Sequence, residues 1–310
     1  MTNSLNDASK NDLEIDLLEV LDTLLTRKLF IFLVTSIFAI GSVFYSLSVP
    51  DKYKAITVLA PAQSEGEGIS VLGQLGGLAS LAGVNVPGNA TNQSLIAQEI
   101  MISQSFIEKF IYSNQLERDI YASVGWNKSD NSLKFDSEIY DSLEGKWKLM
   151  DGISSNSGPS SWMLFTAFKD ILNVSENKQT GMVTVSIEFY SPYLANDWLN
   201  AYVEEINSHM QKRKILSASR NIDYLQNQVE KTSIAEMQGV FYTIIEDQIK
   251  SKMLAEASPE YAFVVVNPSM VPGQRSAPNR ALICVVGASL GLLLSVMSVL
   301  IIYFKKKIYL

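Results

Sequence analysis

A single cysteine, Cys284, and a single histidine, His209, stand in a chain of 310 residues. One cysteine cannot close a disulfide within the chain, and the one histidine lies in a helical pattern far from the cysteine. Zinc clusters and Cys/His catalysis are therefore excluded within one chain. Nucleotide motifs are missing as well. No Gly-x4-Gly-Lys-Ser/Thr occurs, and the Gly-Glu-Gly run at 66–68 lacks the third glycine of a dinucleotide fingerprint. Cations are in deficit, 25 Lys+Arg against 32 Asp+Glu for a net charge of −7, which does not suit a nucleic-acid binder. Opposed carboxylates of the kind that cleave glycosidic bonds are not evident either: Glu204 and Glu205 are neighbours and diverge by about 100° on a helix. Neither an enzyme nor a cofactor is expected.

Charge is wholly absent from two runs. Ala281 to Phe304 holds 24 uncharged residues, about 36 Å as a helix against about 30 Å of bilayer hydrocarbon. Leu29 to Val49 holds 21, about 31 Å long as a helix. Both should be transmembrane helices. A cleaved signal peptide is the rival reading of the first, but its apolar core would be shorter and its leader basic, whereas this leader is acidic. Arg27 and Lys28 precede the first run, and Lys305, Lys306 and Lys307 follow the second. Basic residues outside both spans place both termini in the cytoplasm, although Lys52, Lys54, Arg275 and Arg280 weaken the count. The expected organisation is a cytoplasmic amphipathic segment at 1–28 with Leu13, Leu17, Leu18, Leu21, Leu24 and Leu25 at helical spacing, a span at 29–49, a periplasmic domain at 50–280, a span at 281–304, and a tail at 305–310.

Within the domain, Tyr53–Leu59 and Tyr261–Val266 have strand composition and could pair, which would make one domain of everything between them. Residues 63–94 are rich in glycine and small apolar side chains, read as a partly apolar mobile loop or as a surface for a partner or lipid-linked ligand. Ser94 should cap one helix running to about Tyr112, and a short helix is expected around Trp162–Ile171 after the punctuation at Gly158-Pro159. Gly181–Tyr190 reads as a strand ended by Ser191-Pro192. Helical periodicity then dominates from Tyr193 to Ala257, too long for one helix. The Ser233/Glu236 spacing predicts a capping box that starts a new one, leaving Lys212–Lys231 and Ile234–Ala257 as the arms of a projecting hairpin. The Lys212-Arg213-Lys214 cluster is a solvated face or a polyanion site. The fold class is thus an α/β (α+β) domain with long projecting helices between two transmembrane helices.

Pro268, Pro272 and Pro278 deny helix to the approach to the second span and favour extended backbone, making a semi-rigid strut. Arg275 and Arg280 lie on it. Arg280, at the expected membrane boundary, is either a structural anchor or a bidentate ligand for lipid phosphate or a lipid-linked pyrophosphate. Gly287 and Gly291 have the Gly-x3-Gly spacing that permits close helix contact in lipid, or are a glycine pair in a loosely packed span.

Glu260-Tyr-Ala-Phe-Val-Val-Val-Asn-Pro268 followed by Val271-Pro-Gly-Gln-Arg-Ser-Ala-Pro-Asn-Arg280 and a span resembles the polysaccharide co-polymerase family, the Wzz-type chain-length determinants of bacterial lipopolysaccharide O-antigen assembly. Ile15-Asp-Leu-Leu-Glu19, the strand at 181–190 and Asn221-Ile-Asp-Tyr-Leu225 add to the resemblance. It implies an inner-membrane homo-oligomer, a ring of identical subunits, that acts without catalysis. Its partners would be the membrane, an O-antigen polymerase and undecaprenyl-linked polysaccharide, with no nucleic acid. The short tail after Phe304 and the missing Walker motif resemble the kinase-free class. The competing readings are a two-span sensor, for which 28 residues before one span and six after the other offer no output domain, and a periplasmic sugar-processing enzyme.

Overall fold

The computed structural model describes residues 24–62, 89–148, 153–154 and 158–308. Residues 1–23, which hold most of the expected amphipathic segment, and the glycine-rich residues 63–88 lie outside the described residues. The chain divides into two units, one from Pro50 to Ser276 and one formed by Met1–Val49 with Ala277–Leu310.

The first unit is built on a four-stranded antiparallel sheet in the order β10-β1-β9-β8, from β1 (Tyr53–Pro61), β8 (Leu172–Glu176), β9 (Val183–Phe189) and β10 (Phe263–Asn267). The expected pairing of the strands near the two ends of the domain is therefore present, with Ala60 opposite Val264 and Pro61 opposite Phe263. Alternation fixes the register. Tyr53, Ala55, Thr57 and Leu59 point inward from β1, opposite Phe189, Ile187, Val185 and Val183 of β9. Every one of these eight is buried, so a one-residue slip would turn the whole set to the other face. The polar member, Thr57, donates its hydroxyl to the Asn267 carbonyl at 2.9 Å.

Helices cover this face. They are α2 (Asn89–Met101), α3 (Gln104–Ser113), α5 (Ser161–Ile171) and the long α6 (Pro192–Lys231), with the short α4 (Glu117–Tyr121) after α3. Ala195, Trp198, Leu199, Tyr202, Val203, Ile206 and Met210 form a buried stripe at i, i+3, i+4 spacing on α6. Tyr202 is its centre, with ring centroids of Phe110, Phe106 and Phe168 at 4.8, 5.3 and 5.5 Å. Its hydroxyl donates to the Met101 carbonyl, so the aromatic cluster holds no orphaned donor. Small two-stranded ribbons occupy the turn-rich stretch: β2 (Ser123–Asn127) with β3 (Ser132–Phe135), β4 (Tyr140–Asp141) with β5 (Lys146–Trp147), and β6 (Ile153–Ser154) with β7 (Gly158–Pro159).

Two local expectations are corrected. The single helix from Ser94 to Tyr112 is two helices: Ser103 has extended backbone at φ −74° and ψ 145°, and its hydroxyl donates to the Ile100 carbonyl at 2.7 Å, closing α2 before α3 begins. Ser94 lies within α2 and is not its cap. Likewise no capping box starts α7 (Ala235–Ala257), whose cap position is Ile234 with no side-chain hydrogen bond. The break falls where expected, but the end of α6 is held from the other side. The Gln238 amide of α7 donates to the Thr232 carbonyl at 2.8 Å, satisfying an acceptor at the C-terminus of α6. α6 runs unbroken for 40 residues, about 60 Å, and its stretch Lys212–Lys231 beyond the core pairs with the 23 residues of α7, so the two projecting arms are of similar length. Beyond Met210 only Ala218 and Val229 of α6 are buried. Polar clamps pin the antiparallel arms there, with the Gln211 amide donating to the Ala255 carbonyl at 2.9 Å and the Asn221 amide to Gln248 Oε1 at 3.2 Å.

The second unit is a pair of helices, α1 (Lys28–Ser48) and α8 (Arg280–Ile308). Both are long and apolar enough to cross a membrane, and only 6% and 17% of their most apolar stretches are buried by protein. Their boundaries lie within a residue of the expected spans at the N-terminal ends, while α8 continues past Phe304 through the lysines.

Candidate functional site

Residues 268–279 contain no helix, as three prolines require, and they do not stand free of the sheet domain. Ser269 donates its hydroxyl to Asn196 Oδ1 of α6 at 2.7 Å. Further on, the Ser276 N–H donates to the Lys52 carbonyl at 2.8 Å, and its hydroxyl lies 2.5 Å from Glu188 Oε1 on β9. Between them Arg275 Nη1 lies 3.6 Å from Asp51 Oδ1. That pair is partly exposed and contributes less than about 1 kcal/mol, so it orients more than it stabilises. The stretch from Pro268 to Ser276 is thus fastened to the sheet domain at Ser269 and again at Arg275 and Ser276, and the second fastening falls on the residues that directly follow α1 in sequence.

Around this fastening the side chains are aromatic and cationic. Tyr53 packs edge-on against Trp126 at 5.7 Å, and Trp126 against Tyr193 at 6.3 Å, tying the β2–β3 ribbon to β1 and to the start of α6. Lys52 Nζ stands 5.5 Å from the Tyr190 ring and Lys128 Nζ 5.8 Å from the Tyr53 ring. A hydrogen bond to Tyr53, then its charge, holds the Lys128 ammonium above its ordinary range. Burial raises the Tyr190 hydroxyl.

A second fastening lies deeper. Asn207 is buried in the apolar stripe of α6, accepts the N–H groups of Ala262 and Phe263 at 2.9 and 2.8 Å on Oδ1, and donates to the Phe263 carbonyl at 2.9 Å. It therefore fixes where β10 begins, and through β10 where the strut begins. Sequence reasoning passed over Asn207, Asn196, Glu188 and Asp51. Only Asn207 carried a signal, as the polar member of an otherwise apolar run; the others act through partners 73 to 224 residues away.

Of the residues singled out from the sequence, Pro268, Pro272 and Arg275 lie on the fastened strut, while Pro278 and Arg280 belong to the helix-pair unit, Arg280 opening α8. Gly287 and Gly291 face the chain's own first span. A methyl group on Gly287 would stand 2.4 Å from Ser42 Cβ, and one on Gly291 would stand 2.6 Å from Phe38 Cβ and 3.3 Å from Thr35 Cα. Only glycine fits at these contacts without moving α1 or α8.

Residues 13–114 match the Wzz family, described as chain length determinant protein. Solved structures similar to the chain include a full-length bacterial polysaccharide co-polymerase, at 11% identity over 94% of this chain and 99% of that one with a TM-score of 0.41. Another is a fragment of WzzB, a polysaccharide co-polymerase from Salmonella Typhimurium, at 14% identity over 74% of this chain and 100% of that one with a TM-score of 0.32. No curated protein matches the chain. The family match takes in α1, β1, α2 and α3, about a third of the chain, and makes this part of it similar to the chain length determinant proteins.

Proposed function

We propose that this protein regulates the length of a polysaccharide, the O-antigen of lipopolysaccharide, without itself making or breaking a glycosidic bond. The match of residues 13–114 to the chain length determinant family carries the reading. Two helices long and apolar enough to cross a membrane, one on each side of the sheet domain in sequence, agree with it. In this reading the protein is a multi-pass protein of the bacterial inner membrane, with residues 50–280 in the periplasm and both termini in the cytoplasm. Copies assemble into a homo-oligomeric ring and act with an O-antigen polymerase on undecaprenyl-linked chains. Gly287 and Gly291 hold the two spans of each copy together, and the strut with Pro268, Pro272, Arg275, Pro278 and Arg280 passes position between the sheet and the second span. Deleting the gene and resolving the cell's lipopolysaccharide on a gel tests the proposal. Polymer should persist with its modal length lost; a ladder unchanged in length, or polymer lost altogether, would refute it.

A further inference from the structure

One face of α6, beyond the point where the helix leaves the core, is lined by cations in a chain whose net charge is negative. His209, Lys212, Arg213 and Arg220 follow one another at spacings of three, one and seven residues, so they share a stripe about 17 Å long. Lys109, reaching across from α3, closes its upper end, and the groove they line has a volume of about 560 Å³. Lys109 is neutralised by Glu205 at 2.7 Å. Lys212, Arg213 and Arg220 make no ion pair among the described residues, and all three are exposed. The local field is cationic enough to act on the histidine: burial first, then Lys109, hold the His209 imidazole below its ordinary range, with Arg213 and Lys212 adding to the effect and Glu205 opposing it.

We propose that this groove binds the acidic substituents, carboxylate or phosphate, of a sugar chain. The two guanidiniums supply planar forks seven residues apart, suited to two anions spaced along an extended polymer. Between and beside them Ser217 and Asn221 offer hydroxyl and amide groups, and Leu216 an exposed apolar surface, which together match the mixed polar and apolar faces of a sugar ring. A nucleic acid fits less well, since the stripe presents no open aromatic face for base stacking and the His209 ring is engaged edge-on by Phe106 at 5.5 Å. The inference rests on the polysaccharide reading above and names the chemistry of its ligand.

The test uses the full chain in detergent with three sugar probes, a galacturonic acid hexamer, a phosphorylated mannose hexamer and neutral maltohexaose, together with a single-stranded ten-nucleotide DNA. One or both acidic hexamers should bind at least tenfold more tightly than maltohexaose and than DNA, with affinity falling as salt rises. The exposed double change Arg213→Gln with Arg220→Gln should weaken that binding at least tenfold at unchanged helix content. Equal binding of the neutral hexamer, tighter binding of DNA, or a double variant that binds as well as the parent would each overturn the site. If the deletion strain loses its modal length while purified protein ignores both acidic hexamers, the groove assignment falls and the length-control reading stands.

Discussion

Asn207 shows what a single side chain can decide in this molecule. Its carboxamide is buried between α6 and the start of β10 and makes three hydrogen bonds there. Replacing it with alanine leaves two N–H groups and one carbonyl without partners, and Asn207→Ala should lower stability by about 3 kcal/mol, read as a shift in the urea midpoint followed by tryptophan fluorescence. His209 gives a pH dependence of definite sign. Its folded pKa lies below the free value because of burial and the nearby Lys109, Arg213 and Lys212, against Glu205. The unfolded chain therefore binds more protons in that window, so the contribution is complete above about pH 6.5 and is lost as pH falls through the depressed value. Melting temperature should drop between pH 7.5 and 5.5, and drop less in His209→Asn. Arg280 separates anchor from phosphate ligand: Arg280→Lys keeps the charge and loses the fork, so a shifted modal length at equal protein level would show recognition, and an unchanged one an anchor.

At the scale of elements, three of the four sheet strands and the two long apolar helices were legible, whereas the edge strand β8, the small ribbons and the helix ends were not. Tyr53–Leu59 and Gly181–Tyr190 declare themselves by β-branched alternation, and β1 and β9 lie there. The spans declare themselves by uncharged length alone. By contrast the stop after α2 depends on one serine bonding backward, and the α6–α7 turn on a glutamine of the next helix, choices that many sequences could make equally well. The strut was legible in its prolines, whereas its fastenings at Asn196, Lys52 and Glu188 were not, because they join segments distant in sequence. The contacts at Gly287 and Gly291 yield a sharp expectation. Gly287→Leu with Gly291→Leu must push α8 away from Ser42 and Phe38. Crosslinking between cysteines placed at positions 45 and 283, which line the same groove between the helices, in an otherwise cysteine-free chain should be efficient in the parent pair, and the double glycine change should reduce it several-fold. Changing Pro272 and Pro278 to alanine relaxes the strut in both directions of the chain, and should scatter polymer length while expression stays normal.

For the whole molecule the account makes two claims, one of placement and one of role. Placement follows from the basic residues outside both spans: a periplasm-active reporter fused after residue 150 should be active and one fused after Leu310 silent, and the reverse pattern would remove the two-span topology. Role is the central claim, that the chain sets polymer length and does not make polymer. The most direct measurement is a gel of lipopolysaccharide from the deletion strain in which this protein is returned at graded levels, scored for repeat number and for total O-antigen. The account predicts that a modal length reappears as the protein rises while total polymer stays nearly constant. Polymer that rises in mass with the protein and never acquires a preferred length would contradict it.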